Sequence, residues 1–358
     1  MRTVRLLVAA GVCGCLVGCG SGDDVTVQGA GATFPAPLYK RWFLEFYKRD
    51  SNVRVNYTPI GSGAGIRQFT AGLVGFGASD AGMSPKEIDK LPESFANARG
   101  ERVKLLPMTA GSIVLSYNVP GVGNGLKLSR KAYLGILARD ITFWDHEEIA
   151  RHNKGVSLPH QAITVVTRAD SSGTTYAFSN HLAAVGKDKR VGVKWDLKPD
   201  KSLKWKESIA AQGNDGVAAL IQMTPGAIGY LEYGYADLAE LPMAVLENSY
   251  GRFIRADEKS GPKALVGASI PADLQIKIPD PHKDPDAYPI VTYTWVLCRG
   301  RYTGEKAREA KAFKKVLLWC LEDGQKISAS LGYIPLPPEV VARTKKAIEE
   351  IEVEGGEK

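Results

Sequence analysis

Apolar residues along the chain alternate between short runs of strand length and longer stretches with helical spacing. Between residues 37 and 49, apolar side chains recur every three or four positions, which predicts an amphipathic helix. An apolar run at 25–27 precedes this helix and another at 53–58 follows it, and glycines follow both runs. Strands that alternate with helices in this way indicate an α/β fold with a largely parallel sheet.

The same alternation occurs in both halves of the chain. In the first half, predicted helices at 66–73 and 85–90 flank a strand at 74–78. In the second half, the pattern predicts strands at 113–117 and 163–167 and helices at 130–137, 175–185 and 216–223. A turn at 225–230 leads into a further strand, and an irregular stretch follows at 248–288. The chain then continues with a strand at 290–297, helices at 305–322 and 340–352, and a polar tail at 353–358. Two such sets predict two α/β lobes, and ligands of open α/β sheets bind outside the carboxyl ends of the strands. We therefore expect a ligand cleft between the lobes.

The first nineteen residues indicate the compartment. Two arginines lie within the first five residues, and the apolar run at 6–17 is shorter than the roughly 20 residues that a bilayer-spanning helix needs. The segment LVGC at 16–19 resembles a bacterial lipobox, in which the cysteine receives the lipid; a plain secretory signal with an incidental cysteine is the alternative. We expect a signal peptide at 1–18, a tether at 19–24 that is lipidated at Cys19, and a location in the periplasm or at the cell surface.

Composition narrows the class of function. The chain has 358 residues, of which 44% are hydrophobic and 24% are charged, a balance typical of soluble globular proteins. Its formal charge of +7 falls to about +5 without the leader, a mild basic excess that helps to attract anions. Lys/Arg blocks with interleaved aromatic residues do not occur, so we expect no nucleic-acid partner. Neither a CxxC pair nor a His/Cys cluster at metal spacing occurs, so we expect no metal and no cofactor.

Two cysteines remain after the leader. Cys298 and Cys320 could form one disulfide in an oxidising compartment. Both lie in apolar runs, however, where a free thiol behaves as a small hydrophobic group. The setting favours two unpaired cysteines in the core.

Four turns rich in Gly, Ser and Thr lie where a predicted strand ends. They span residues 29–34, 61–65, 77–80 and 168–175. A helix N-terminus offers unpaired N–H groups and the positive end of the helix dipole, and small residues let an anion approach the backbone. Each turn alone also fits ordinary helix capping or turn formation. Together they predict a dry cage for a small tetrahedral oxyanion.

Charged residues in these turns indicate which oxyanion fits. Arg168 carries a permanent charge with bidentate geometry, and Asp170 could hold the guanidinium in place; a surface ion pair is the alternative. Asp80 repels an anion unless the anion carries a proton to donate. Phosphate carries a proton near neutral pH and sulfate does not, so Asp80 predicts selection of phosphate. The alternative is that Asp80 caps the helix that begins near Ser84.

The sequence resembles the phosphate-binding proteins of high-affinity phosphate ABC transporters, members of the type II periplasmic-binding-protein superfamily. The resemblance rests on GAGATFPAP at 29–37, FGASD at 76–80 and RADSSGT at 168–174. It implies two α/β lobes joined by a hinge, with one lobe formed by 25–107 plus 286–358 and the other by 108–285. It also implies a monomeric binding protein, not an enzyme, that passes inorganic phosphate to the permease and ATPase subunits of an importer.

The resemblance also implies the ligand groups, position by position. They are Thr33, the backbone N–H of Phe34, Ser62, Asp80, Arg168, Ser172, Gly173 and Thr174. Asp170 is expected behind the arginine. Two positions depart from the common family pattern: Gly63 stands where serine is common, and Ser171 stands where glycine is frequent. Neither departure removes a ligand group.

Other functions fit the sequence less well. The turns match neither the GxxxxGK[ST] loop nor a dinucleotide fingerprint, and His146 and His152 lack the spacing of a zinc-protease helix. The segment 144–149 instead predicts an N-capped helix that faces solvent. A phosphatase with Ser172 or Ser62 as nucleophile needs a base or metal beside that serine, and the sequence offers no candidate. The remaining alternatives are a binding protein for sulfate, molybdate or tungstate, and a cell-surface adhesin or signalling receptor.

Overall fold

The computed structural model describes residues 24–355. The predicted signal peptide at 1–18, the predicted lipidation at Cys19 and the predicted tether up to residue 23 lie outside the described residues. Within residues 24–355, no helix combines the length and the apolar character needed to cross a membrane.

Strands and helices alternate through the described part of the chain. The strands are β1 (Val25–Gly31), β2 (Val53–Pro59), β3 (Phe76–Ser79), β4 (Val103–Asn118), β5 (Lys127–Leu128), β6 (Thr164–Arg168), β7 (Ser208–Ala211), β8 (Ala227–Glu232), β9 (Val245–Glu247), β10 (Phe253–Ile254), β11 (Val291–Arg299), β12 (Arg301–Thr303), β13 (Tyr333–Ile334) and β14 (Glu352–Glu354). The helices are α1 (Ala36–Arg49), α2 (Ser62–Thr70), α3 (Pro85–Ile88), α4 (Arg130–Ala138), α5 (Glu147–Ala150), α6 (Gly173–Val185), α7 (Gly213–Met223), α8 (Tyr233–Leu238), α9 (Ser260–Leu265), α10 (Glu305–Leu321), α11 (Gln325–Ser328) and α12 (Pro338–Glu349).

The main sheet has nine strands in the order β2-β1-β3-β11-β4-β8-β6-β7, with β13 also paired to β4. Strands β1, β2 and β3 run parallel at one end of the sheet, and β6, β7 and β8 run parallel at the other. Between them, β11 and β4 are antiparallel to their neighbours. The sheet is therefore two parallel α/β units joined by antiparallel strands. We call the β1–β3 and β11 unit the first lobe and the β6–β8 unit the second lobe.

Strand β4 runs through both lobes. Its residues 103–112 pair with β11, and its residues 113–118 pair with β8. The sequence pattern predicts only the second part, at 113–117, as a strand. In the first part, Pro107 lacks the N–H group that a regular strand pairing uses. In the structure, Pro107 lies opposite Trp295, and the register shifts there so that Met108 forms a bulge. The bulge accommodates the proline, and the strand continues.

Stacked aromatic rings fix the helices against the sheet in each lobe. In the first lobe, Phe76 of β3 stacks on Phe313 of α10 with ring centroids 4.2 Å apart. In the second lobe, Phe178 of α6 stacks on Tyr230 of β8 at 4.5 Å. All four rings are buried, and burial of such a side chain contributes about 2–3 kcal/mol. Helix α6 is therefore held firmly against β8.

Several predicted elements differ from the observed ones. Helix α2 begins at Ser62 rather than at residue 66, although glycines disfavour helices. A Cβ atom on Gly65 would lie 2.3 Å from the Cα of Gly31, so the glycine lets this helix pack directly on β1. The predicted irregular stretch at 248–288 contains β10 and α9, and the start of the predicted polar tail forms β14, which pairs with β12.

Two further predictions concern single residues. The helix predicted near 144–149 as solvated is α5, but its Glu148 and Ile149 are buried, so that part of the prediction is wrong. Cys298 and Cys320 are both buried and unpaired, as the apolar runs around them predict.

Candidate functional site

The four Gly-, Ser- and Thr-rich turns meet between the two lobes. Turns 29–34, 61–65 and 77–80 come from the first lobe, and turn 168–175 comes from the second. The structure brings all of the predicted site residues together there, and every one of the eight predicted ligand residues is buried: Thr33, Phe34, Ser62, Asp80, Arg168, Ser172, Gly173 and Thr174. The cluster forms because the carboxyl ends of β1, β3 and β6 face the same cleft.

The guanidinium of Arg168 is held from two sides. Its Nε donates to Asp170 Oδ1 at 2.8 Å and its Nη2 donates to Asp170 Oδ2 at 2.6 Å. Its Nη1 and Nη2 also donate to the hydroxyls of Thr174 and Thr33, both at 3.3 Å. Only 1% of the arginine side chain is exposed, so this is a buried ion pair and not a surface one. Burial opposes ionisation of Asp170, but the hydrogen bonds from Arg168 outweigh it and hold the pKa of this carboxyl below its ordinary value.

The hydroxyl of Thr33 accepts hydrogen bonds from the second lobe. Besides Arg168, its donors are the backbone N and the side-chain Nδ2 of Asn214, at 3.3 and 2.8 Å. Because all three partners are donors, the proton of the Thr33 hydroxyl remains for a different acceptor. Asn214 lies in the first turn of α7, outside the four turns that the sequence pattern assigns to the site.

The hydroxyl of Ser62 has the same arrangement. It accepts from the backbone N–H of Asp80 at 3.3 Å and from that of Gly173 at 3.1 Å. Its own proton therefore also remains for an acceptor in the cleft. A Cβ atom on Gly173 would lie 2.5 Å from this hydroxyl and 2.7 Å from the backbone N of Asp80, so only glycine fits at this position.

Asp80 is a buried acid that lies at the end of β3. Its Oδ1 accepts a hydrogen bond of 2.8 Å from the hydroxyl of Thr294 on β11. Burial raises the pKa of Asp80 to about 7, although the Thr294 hydrogen bond and the charge of Arg168 both lower it. Asp80 does not cap the next helix, because Ser84 caps α3 and forms a capping box with Glu87.

Helix α6 points its N-terminus into the cleft. Ser172 is its N-cap and accepts from the backbone N–H of Thr175 at 3.1 Å. Gly173 and Thr174 form the first turn, where the positive end of the helix dipole favours an anion. The hydroxyls of Ser172 and Ser62 thus both accept hydrogen bonds from backbone N–H groups. Such donors do not activate a serine as the nucleophile of a phosphatase. Among residues 24–355, no group of His, Cys, Asp or Glu is suited to hold a metal ion.

Known proteins resemble this chain over most of its length. Residues 20–319 match a family model described as a PBP superfamily domain. The chain is 33% identical over 340 residues to the phosphate-binding protein PstS of Methanocaldococcus jannaschii, an alignment that covers 89% of this chain and 84% of the relative. It is 32% identical over 322 residues to PstS of Pasteurella multocida, with coverage of 89% and 88%. The chain belongs to the PstS family. The resemblance found in the sequence is thereby confirmed.

Solved structures share the fold of this PstS-family chain. A high affinity periplasmic phosphate-binding protein (PfluDING) bound with phosphate superimposes with a TM-score of 0.72 at 18% identity, covering 90% of this chain and 93% of the other. A phosphate binding protein from Stenotrophomonas maltophilia gives a TM-score of 0.70 at 20% identity, with coverage of 90% and 93%. At these identities the likeness concerns the two-lobed α/β fold.

Three tyrosines hold the backbone of the first turn of this PstS-family site. Tyr57 donates to the carbonyl of Ala32 at 2.6 Å, Tyr235 to that of Thr33 at 2.7 Å, and Tyr333 to that of Phe34 at 2.7 Å. In a trans peptide the C=O and the next N–H point in opposite directions. The bond from Tyr235 therefore turns the N–H of Phe34 away from this tyrosine and fixes its direction. The sequence gives no local signal for these tyrosines, because they lie far from the turn along the chain.

A second buried acid lies behind the site. Glu232 at the end of β8 is fully buried and accepts from the backbone N–H of Gly234 at 2.9 Å. Burial, together with the charge of Asp80, raises the pKa of this carboxyl to about 8, although its hydrogen bonds lower it. Its backbone N–H donates to Asn214 Oδ1 at 3.1 Å, which connects it to the Thr33 hydroxyl. No local sequence pattern marks Glu232 as part of the site.

Proposed function

We propose that this protein binds inorganic phosphate between its two lobes outside the cytoplasmic membrane and delivers it to an ABC importer. One observation carries the proposal: a buried arginine and a buried carboxyl with a pKa near neutrality, Arg168 and Asp80, lie in one cage of hydroxyls and helix N–H groups. The PstS relatives from other organisms are named phosphate-binding proteins, which supports the same ligand.

The proposed ligand groups divide into donors and one acceptor. Arg168, the hydroxyls of Thr33, Ser62, Ser172 and Thr174, and the N–H group of Phe34 donate to phosphate oxygens. The N–H of Gly173, which donates to the Ser62 hydroxyl, would be shared with a phosphate oxygen. Charge-assisted hydrogen bonds from the guanidinium are the strongest of these. Asp80 accepts the proton that phosphate still carries near neutral pH. Asp170 orients the guanidinium and does not itself contact the ligand.

Opening and closing of the lobes would admit and enclose the ligand. We assign residues 25–107 and 286–358 to one lobe and residues 108–285 to the other, so that the chain crosses between them twice. Phosphate bridges groups from both lobes and therefore favours the closed form. A closed cage also excludes water, which strengthens each electrostatic contact.

The proposed location and partners follow from the leader and the family. A signal peptide at 1–18 would export the chain, and a lipid on Cys19 would anchor it in the periplasm or at the cell surface. The partners would be the permease and ATPase subunits of the importer, and the protein would act as a monomer. Mass spectrometry of the mature protein tests the anchor, because lipidation adds a diacylglycerol mass at Cys19.

Calorimetry tests the ligand. The mature protein is titrated at pH 8 with phosphate, sulfate, molybdate and a phosphate monoester. We expect phosphate to bind tightly with one site per chain, the other oxyanions to bind at least about 1000-fold more weakly, and the monoester to stay intact. Tight binding of sulfate or molybdate, or release of phosphate from the ester, would contradict the proposal.

A further inference from the structure

The two positions that depart from the common family pattern contact each other across the cleft. Gly63 lies in the first turn of α2 in the first lobe, and Ser171 lies in the turn before α6 in the second. The backbone N–H of Gly63 donates to the carbonyl of Ser171 at 2.9 Å. A Cβ atom on Gly63 would lie 2.2 Å from the Oγ and 2.5 Å from the Cβ of Ser171. The Ser171 side chain thus fills the space that a side chain at position 63 would need.

The contact between Gly63 and Ser171 lies next to the residues proposed to bind phosphate, but neither Gly63 nor Ser171 is one of those residues. Gly63 follows Ser62 directly, and Ser171 immediately precedes Ser172. The hydroxyl of Ser62 accepts from the N–H of Gly173 at 3.1 Å, so both turns have to approach closely before this hydrogen bond forms. A shift of one turn by an ångström at the Gly63 contact would therefore move ligand groups of both lobes apart.

We propose that Gly63 and Ser171 form a matched pair that sets how far the cleft closes, and so controls phosphate affinity without touching phosphate. The inference rests on the proposed function. The space between the turns holds one hydroxymethyl group, which either position can supply but both together cannot. The two departures from the common pattern, glycine for serine at one position and serine for glycine at the other, therefore compensate each other. Because the contact exists only when the lobes meet, the pair acts on the closed form alone.

A double-mutant cycle tests the pair by phosphate calorimetry at pH 8. We expect Gly63→Ser to weaken phosphate binding by at least about tenfold, since overpacking destabilises the closed form. We expect Ser171→Gly alone to stay within about threefold of wild type, because it removes the side chain without adding a clash. In the double variant the added serine side chain occupies the space vacated at 171, so affinity returns to within about threefold of wild type.

Two controls separate this effect from a general folding defect. Ala64→Ser adds the same hydroxyl one residue further along α2, where the side chain is partly exposed, and should leave phosphate affinity unchanged. Thermal unfolding without phosphate should give the same midpoint for all variants to within about 2 °C, because the pair is separated when the lobes are open.

The outcomes distinguish this inference from the proposed function. If wild type does not bind phosphate, the proposed function and the inference that rests on it both fail. If wild type binds phosphate but Gly63→Ser binds equally well, or Ser171→Gly does not restore the affinity of Gly63→Ser, the matched pair is wrong and the proposed function stands. If Gly63→Ser lowers the thermal unfolding midpoint by more than about 2 °C without phosphate, the variant has a folding defect and the matched pair is also wrong.

Discussion

The hydroxyl of Thr294 donates a hydrogen bond of 2.8 Å to Oδ1 of Asp80, although the two residues lie 214 positions apart in the sequence. Thr294 occupies one of the lone pairs of the carboxyl, and a remaining one can accept a proton from a ligand. The carboxyl is 2% exposed, so water does not compete for it. Asp80 is therefore placed to distinguish a protonated oxyanion from an unprotonated one. It distinguishes them more strictly when its carboxyl is ionised than when it is protonated.

Sulfate binding should depend strongly on pH. Burial raises the pKa of Asp80 to about 7, so the carboxyl is ionised at pH 8.5 and repels sulfate, while below pH 7 it is protonated and can donate to a sulfate oxygen. We expect sulfate affinity to rise about tenfold per pH unit as the pH falls from 8.5 to 7, and to level off below pH 6. Calorimetry with sulfate across this range measures it. A flat profile would contradict the role of Asp80.

Replacement of Thr294 should move that profile. The hydrogen bond from Thr294 lowers the pKa of Asp80, so Thr294→Val raises it. We expect the rise in sulfate affinity to begin at a higher pH in this variant than in wild type. Thr303→Val is the control, because this exposed threonine at the end of β12 is remote from the acid. Identical sulfate profiles for Thr294→Val and wild type would count against the hydrogen bond.

Glu232 should make the protein less stable as the pH rises. The pKa of its carboxyl is about 8 in the folded protein and lies near 4.5 in the unfolded chain, so the folded protein holds the proton between these values. Its stabilising contribution is fully present below pH 4.5 and is lost as the pH rises through 8. Glu232→Gln removes this dependence. Between pH 4.5 and 9, the free energy of unfolding of wild type should therefore fall by about 2–4 kcal/mol relative to that of the variant.

Urea unfolding at several pH values, without phosphate, measures this difference. Glu258→Gln removes one exposed carboxyl as a control and should follow the wild-type pH dependence. If Glu232→Gln also follows the wild-type curve, the carboxyl is ionised in the folded protein and the assignment of its pKa is wrong.

Tyr235 should support phosphate binding through the backbone alone. Its hydroxyl holds the carbonyl of Thr33 and thereby directs the N–H of Phe34. We expect Tyr235→Phe to weaken phosphate binding about five- to tenfold, the effect of losing one neutral hydrogen bond. Tyr250→Phe is a matched control, since Tyr250 also donates to a backbone carbonyl, that of His282, but on the exposed surface. Equal phosphate affinities for the two variants would contradict the positioning role of Tyr235.

Arg168 should be indispensable for binding. Arg168→Ala removes a buried guanidinium from the cage and leaves Asp170 buried without its cation. We expect no measurable phosphate binding by calorimetry, a loss of more than about 1000-fold. Arg190→Ala is the control, because Arg190 forms a similar pair with Asp188 on the surface of the second lobe, with 79% of its side chain exposed. Tight phosphate binding by Arg168→Ala would show that the ligand lies elsewhere.

The sequence alone could locate the four turns, but not the residues that hold the turns in place. Thr33, Ser62, Asp80 and Arg168 lie at strand ends, and the carboxyl ends of parallel strands meet, so their convergence could be predicted from local patterns. Thr294 could not be identified in this way, because it lies within a strand and contacts the site only after β11 inserts between β3 and β4. The same holds for the tyrosines and Glu232, whose role depends on tertiary contacts that leave no periodic signal.

The departures at Gly63 and Ser171 illustrate the same limit. Each is visible in the sequence as a single unusual residue. Their compensation is not visible, because it depends on a distance of 2.2 Å across the cleft. Pro107 is the reverse case, a strong local signal for a break that one bulge in β4 overrides.

The preference of the Asp80→Asn variant for phosphate over sulfate tests most directly the claim that Asp80 selects the ligand by its proton. Phosphate and sulfate are titrated at pH 8 into wild type and the variant, and the ratio of the two dissociation constants is compared. The amide keeps the size of the carboxyl but carries no charge, so it no longer repels sulfate. We expect the preference for phosphate to fall by at least about tenfold, through tighter sulfate binding and through loss of the acceptor for the phosphate proton. An unchanged ratio would show that Asp80 does not select the ligand by its proton.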